Sequence, residues 1–135
     1  MVAAPAYLER RGRPAHPREL KSHACLCYAY LPTGSDWRFL DADGLQETVR
    51  VSGPLQANNA DALVPALVAG LGVAVQPEFM IAEELASGAL VRILDGWRPP
   101  PIALHLVAPP STPRPAKVAV LLDFLAERFA EKRSG

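Results

Sequence analysis

Residues 58–79, NNADALVPALVAGLGVAVQPEF, read as a helix, a glycine turn, a short buried strand and the start of a second helix. Leu63, Leu67, Val68 and Leu71 recur at helical spacing. Gly70 and Gly72 bracket the exit from that helix, where a left-handed residue is often required. Val73-Ala74-Val75 then forms a short strand with Pro77 behind it. Pro65 removes one backbone hydrogen bond, so it either bends the helix or places its true start late. Asn58, Asn59 and Asp61 are the candidate caps. A helix, a turn and a buried strand in this order describe an α/β unit; they describe no reaction.

Upstream, Val2 to Ala4 reads as the end of a strand, and Pro5 as the first turn of a short helix that carries Tyr7 and Leu8 and stops near Gly12. A second short helix is expected over Arg18 to Ser22, and a strand over Ala24 to Tyr30. Pro32-Thr33-Gly34-Ser35 is a turn by composition. Trp37 to Leu40 and Glu47 to Val51 flank Asp41-Ala42-Asp43-Gly44, a hairpin signal in which Asp-Gly supplies a tight reversal. Downstream, Phe79 to Ser87 is expected to be helical and closed by Gly88, with a short strand over Leu90 to Ile93. Pro99-Pro100-Pro101 is a stiff connector, Ile102 to Val107 an apolar strand, and Pro109 to Pro115 a second proline-rich link. The final helix, from about Pro115 to Lys132, carries an apolar stripe on Val118, Leu121, Leu122, Leu125 and Phe129.

The chain has 135 residues, half of them apolar and 21% charged, which suits one globular domain. Its formal net charge is zero, which argues against the broad positive field of a free-standing nucleic-acid binder. The early cluster Arg10, Arg11, Arg13, Arg18 and Lys21 reads as a solvated helix-and-loop face. No run is long enough to cross a bilayer and no secretory signal is visible, so a cytoplasmic location away from membranes is expected. Cys25 and Cys27 stand at i and i+2 on one strand, so they share a face but lie near the upper Cα separation for a disulfide. They are expected to be buried structural thiols.

Several segments together resemble the effector-binding domain of LysR-type transcriptional regulators. Val2-Ala3-Ala4-Pro5-Ala6-Tyr7-Leu8 is similar to the family's V-A-S-P-A-Y-L. Pro17-Arg18-Glu19-Leu20 and His23-Ala24-Cys25-Leu26 are similar to its P-x-x-L…H-x-C-L, and Trp37-Arg38-Phe39 to its W-x-F strand. Ala69-Gly70-Leu71-Gly72-Val73-Ala74 with Pro77 is similar to its A-G-L-G-[IV]-A…P turn, and Phe79 to Leu90 to the helix that follows. The order and spacing of these pieces carry the resemblance more than any one of them.

The resemblance implies a periplasmic-binding-protein-like (type 2) α/β fold, represented here by the second lobe plus the C-terminal return helix. Residues 1–108 would be the second lobe, entered and left by strands near Val2 to Ala4 and Leu104 to Ala108. Residues 109–135 would be a linker and an amphipathic helix that packs on the first lobe. The family's winged helix-turn-helix and most of the first lobe are absent from this sequence, so DNA contact would need that missing part. The implied partners are a small-molecule effector, expected to be an anion, and further copies of the chain in a homo-oligomer. No cofactor or metal is expected. The resemblance places two helix starts toward the inter-lobe cleft, Ala4-Pro5 and Asn58-Asn59, where free N–H groups would hold an anion. Ala4 stands where the family commonly has serine, so a hydroxyl contact is lost there. Asn58 and Asn59 have two readings, plain caps or side-chain amides donated to a ligand.

Catalysis finds no constellation. His16, His23 and His105 lie on separate segments, and His23 is expected to be structural. No Gly-x-Ser-x-Gly elbow or phosphate loop occurs, and Gly70-Leu71-Gly72 is too short for a dinucleotide fingerprint. Glu83 and Glu84 are helix neighbours that point apart. Trp37 and Phe39 share a strand face and are expected in the core, while Trp97 borders the proline run and is not taken as a site residue. The reading is therefore the effector-binding part of a transcriptional regulator, not an enzyme. A solute-binding module of a transporter is the alternative, because it shares the two-lobed architecture.

Overall fold

A computed structural model of the chain describes residues 1–30, 33–101, 107 and 115–131. They fall into two units, Met1–Pro101 and Ile102–Gly135. The first opens with β1 (Val2–Ala3) and α1 (Pro5–Arg11), with Pro5 in the first helical turn, where its missing N–H breaks no bond. The expected second short helix is 3₁₀ and runs over Pro17–Ser22. It is closed by a reciprocal cap: Arg18 N–H donates to His16 Nδ1, and His16 N–H to the Glu19 carboxylate. Then follow β2 (Leu26–Tyr28), the hairpin β3 (Asp36–Leu40) and β4 (Gln46–Arg50), and β5 (Leu55–Ala57).

The helix of residues 58–79 starts late, the second of the two outcomes that Pro65 allowed. Ala60–Ala62 is a single 3₁₀ turn, and α2 runs only from Leu63 to Val68, with Pro65 in its first turn. Gly70 ends it with φ 71°, and β6 (Val73–Ala74) follows. The helix expected over Phe79 to Ser87 is interrupted. Glu78–Met80 is 3₁₀, Ile81 leaves the helical region at φ −130°, and α3 spans Ala82–Ala86. The break lets the Ile81 side chain bury almost completely at 1% exposure. β7 (Val91–Arg92) is shorter than expected. The expected strand over Ile102 to Val107, the link Pro109 to Pro115, the crossing at Leu104 to Ala108 and the domain boundary after residue 108 lie largely outside the described residues.

β1 pairs antiparallel with β6 on one side and β7 on the other. β2 pairs parallel with β5. A parallel bridge between Cys25 and Val73 joins these two groups, giving the order β5–β2–β6–β1–β7. Alternation along these strands builds a core on each face. Val2, Ala4, Leu26 and Ala74 pack with Leu63 and Leu67 of α2, Ile81 and Leu90. Ala3, Cys25, Cys27 and Val73 pack with Tyr7 of α1, Leu20 and the hairpin residues Trp37, Phe39 and Val49. Each large aliphatic side chain buried this way contributes about 1.5–3 kcal/mol. Cys25 and Cys27 share a face and are buried free thiols, as the i, i+2 spacing implied.

The hairpin reverses over residues 41–45. Asp41 Oδ1 accepts from both Asp43 N–H at 3.0 Å and Leu45 N–H at 2.8 Å. The reversal falls in the Asp41–Gly44 stretch expected for it: Gly44 takes φ 83°, its N–H donates to Asp41 O at 3.3 Å, and Asp41 N–H donates to Leu45 O at 3.1 Å, with the Asp41 side chain adding its own bonds. Arg18 clamps the Glu47 carboxylate at 2.7 and 3.1 Å, tying the 3₁₀ helix Pro17–Ser22 to β4. Leu40 and Arg98 exchange backbone bonds at 2.8 and 2.9 Å, which fastens the Trp97–Arg98 segment to the end of β3.

The sheet is joined through the backbone of Ala24 and Cys25. Cys25 N–H donates to Ser52 O at 3.0 Å, and Val73 N–H donates to Ala24 O at 2.9 Å. A Cβ on Gly53 would lie 2.0 Å from Cys25 O, and one on Gly72 would lie 2.2 Å from Ala24 O. Both neighbours are backbone and cannot turn away. Gly72→Ala is therefore expected to lower stability by about 3 kcal/mol or more in urea unfolding. Gly88→Ala, which meets nothing within 4 Å and is strained only by φ 77°, is expected to cost about 1 kcal/mol. Equal losses at the two positions would contradict the close-approach account.

Candidate functional site

Strand directions decide what can form one site. β2, β5 and β6 run the same way, and β7 joins them because both it and β6 oppose β1. One edge of the sheet therefore collects the carboxyl ends of four strands: Ala29 after β2, Asn58 after β5, Val75-Gln76 after β6 and Ile93 after β7. Met1, at the start of β1, lies at the same edge. Open α/β sheets bind ligands outside their carboxyl ends, where successive loops converge.

Ala4-Pro5 lies at the other edge, because β1 runs against its neighbours. Ala3 is paired with Val73 and Val91, at the beginnings of β6 and β7. Ala4 is buried at 2% exposure, and its carbonyl accepts from Tyr7 and Leu8. Near it, Tyr7 Oη accepts from Ala24 N–H at 2.9 Å and contacts His23 Nδ1 at 3.1 Å. Arg10 reaches the Gly70 carbonyl at 2.8 Å. The two helix starts singled out from the sequence are thus on opposite edges and do not converge on one ligand.

At the carboxyl edge, Asn59 Oδ1 accepts from Asp61 N–H at 3.0 Å, which makes Asn59 the cap of the 3₁₀ turn Ala60–Ala62. Asn58 is exposed and caps nothing in that turn. Gln76, only 8% exposed, donates from Nε2 to Ala60 O at 3.1 Å and so ties this turn to the end of β6. Beside Gln76 opens a depression of about 210 Å³. Val2, Ile81, Leu85 and Ile93 form its apolar floor; Trp97 and charged side chains form its rim. On that rim Arg92 pairs with Glu78 at 2.6 Å, and Arg13 pairs with Asp95 at 3.2 Å. Arg98 lines it without a carboxylate partner among the described residues.

The rim segment is held in place by strain and packing together. Leu94 sits at φ 58°, a left-handed conformation that costs a leucine about 1–2 kcal/mol. Its side chain is 3% exposed, so burial offsets that cost. Its carbonyl accepts from Trp97 N–H at 2.8 Å. The Trp97 ring meets His16 edge-on, with ring centroids 4.9 Å apart.

The sequence singled out Asn58 and Asn59 at this edge but passed over Gln76, Trp97 and Arg98. A signal for Gln76 was present: a polar residue directly after the apolar run Val73 to Val75 and before Pro77. His16 and His23 stay on separate elements, one against Trp97 and one against Tyr7, and His105 lies outside the described residues. Among the described residues no three His, Cys, Asp or Glu side chains gather as metal ligands. Burial, reinforced by the neighbouring Cys27, pushes the Cys25 thiol up to about 12, and burial also raises Cys27. Both remain protonated and unreactive near neutral pH. Burial, with Arg11 nearby, holds His23 below its ordinary value against the opposing pull of Glu19. Among the described residues no helix is long and apolar enough to cross a membrane.

Comparison with known proteins agrees with this architecture. Residues 1–130 match the family described as the LysR substrate binding domain. The chain is 32% identical over 131 residues to the HTH-type transcriptional regulator PtxR of Pseudomonas aeruginosa, covering 97% of this chain and 42% of that protein. It is 29% identical to the probable HTH-type transcriptional regulator LtrA of Klebsiella pneumoniae, covering 100% of this chain and 44% of the relative. The full-length structure of AphB, the Vibrio cholerae virulence activator, superposes with TM-score 0.66 at 32% identity, over 73% of this chain and 33% of that one. The chain thus spans less than half the length of the curated relatives it matches.

The His23 environment generates a pH dependence. Its folded-state pKa is depressed, so its contribution to stability is complete above the unfolded value of about 6.5 and is lost as pH falls below it. The chain is expected to be less resistant to urea at about pH 5 than at about pH 7.5, and His23→Gln should shrink that difference. An undiminished difference in the variant would assign the effect to other groups.

Proposed function

The chain belongs to the LysR substrate-binding domain family, and on that premise we propose that it is the effector-binding part of a DNA-binding transcriptional regulator. The relatives it matches are named as transcriptional regulators, which favours this reading over a solute-binding module of a transporter. A catalytic role is not part of the proposal. The observation that carries the site is the gathering of four strand ends, the Asn58-Asn59 turn and the apolar depression on one edge.

In this reading the carboxyl edge of residues 1–108 is one wall of a two-sided cleft, and a first lobe supplies the other. The depression, about 210 Å³, is below the roughly 300–1,000 Å³ of a complete small-molecule site, which suits half of a cleft. An effector that contacts both walls binds the closed arrangement more tightly than the open one and so shifts the population toward it. An anionic group on the effector is proposed on the strength of Arg98 at the rim. Asn58 is preferred over Asn59 as a ligand contact, since the Asn59 oxygen is already committed to its cap. Ala4-Pro5, on the far edge, is given a structural part: a buried turn that starts α1.

Self-association of the isolated chain is proposed from α4 (Ala116–Glu131), in the second unit. Of the stripe read from the sequence, Val118, Leu122 and Leu125 are half-buried while Leu121 and Phe129 are exposed at 55% and 46%. Val120 and Phe124 are exposed as well, so the helix carries apolar residues on more than one side. Such a helix requires a covering surface. The covering surface in the complete regulator is proposed to be the first lobe.

Two experiments test these statements. In a chimaera that places residues 1–130 in the matching region of the Pseudomonas aeruginosa relative, Asn58→Ala is expected to reduce the inducer response about tenfold and leave operator binding in gel shifts intact. Its effect on stability should stay within about 0.5 kcal/mol, whereas Asn59→Ala should cost about 1 kcal/mol through the lost cap. An unchanged response to Asn58→Ala removes that side chain from the site. For the chain alone, light scattering is expected to show association that rises with concentration and falls in the double variant Leu121→Glu, Phe124→Lys. A monodisperse monomer at high concentration would contradict it.

A further inference from the structure

We infer that Gln76 determines specificity in this cleft, its Oε1 accepting a hydrogen bond from an O–H or N–H group of the effector while its Nε2 holds the Asn59-capped turn. The inference rests on the reading of the carboxyl edge as the effector face. Ala60 O can only accept, so the side-chain atom 3.1 Å from it must be the amide nitrogen. That assignment leaves Oε1 as the outward end. Gln76 is 8% exposed, yet it lines the depression, and Oε1 has no hydrogen-bond partner among the described residues. Among the described residues the one fully buried unpartnered side-chain polar atom is Trp37 Nε1, so Gln76 Oε1 keeps some access to solvent, where water or a ligand donor can satisfy it.

The surroundings narrow the chemistry. The floor is aliphatic, and Trp97 stands at the rim, so a ring or a short chain suits the space. Oxygen is an acceptor and repels carboxylate, so the group read by Gln76 is a hydroxyl or an amide N–H, distinct from any anionic group taken by Arg98. A ligand lacking that donor would leave Oε1 desolvated and unpaired, a penalty that selects against it. The same side chain spans from the depression to Ala60, so a ligand that pulls on Oε1 also loads the turn that presents Asn58 and Asn59.

The test compares phenol with fluorobenzene, two rings of similar size that differ in the donor, by amide NMR titration of the 135-residue chain. Phenol is expected to shift the Gln76 side-chain amide and the Asp61 backbone N–H saturably, and fluorobenzene to bind about 3- to 10-fold more weakly. Gln76→Met, close in shape, is expected to erase the preference for phenol. A preference kept in Gln76→Met, no preference in the unaltered chain, or no saturable shift with either compound would each overturn the inference. The location of the shifts separates its failure from that of the parent reading. Binding at the carboxyl edge without a preference removes only the role of Gln76. Shifts confined to Tyr7, His23 and Ala24 remove the effector face as well.

Discussion

The sheet depends on the approach of three backbones at Ala24-Cys25. Ser52-Gly53 lies against one side and Gly72-Val73 against the other, close enough that a single Cβ at either glycine would overlap a carbonyl oxygen. This contact joins the β2–β5 pair to the strands around β1, and without it the two groups have no shared ladder. It also sets direction. The Cys25–Val73 bridge is parallel, and from that one relation follows which loops meet at which edge. The placement of every candidate ligand group is a consequence.

The two edges then take different parts. At the amino edge the polar groups are used up internally: Tyr7 serves both Ala24 and His23, Arg10 serves Gly70, and Ala4 is buried. At the carboxyl edge they are partly spent. Asn59 and the Gln76 nitrogen hold the turn, Arg92 and Asp95 are paired, and Asn58, Arg98 and the Gln76 oxygen remain facing outward. The proposed effector face is thus the edge with polar groups in reserve. The hairpin supports it from behind, since Leu40 holds Arg98 in register and the buried Leu94 holds the turn that carries Trp97.

Legibility followed the range of the interaction. Pro5, Gly70 and the paired strands around Asp41 act within a few residues, and they stood where the sequence put them. Pro65 left two outcomes open, a bend or a late start, and the late start is the one taken, because a proline in a first turn forfeits no bond. The break at Ile81 had no local signal; it is imposed by the sheet face that buries that side chain. The exposed Val120 and Phe124 fell outside the single stripe that helical spacing suggests, because spacing reports periodicity and not what covers each face.

What the sequence determined by itself was the α/β class, the family and the identity of the capping and turn residues, all carried by short-range chemistry and by motif order. What only the tertiary structure decided was which of those residues share a site. Ala4-Pro5 and Asn58-Asn59 are equivalent as helix starts in one dimension, yet they part to opposite edges because β1 runs against β6. Gln76 joins the depression to the turn for the same reason: residues 16 positions apart meet only once strand direction has set both at one edge.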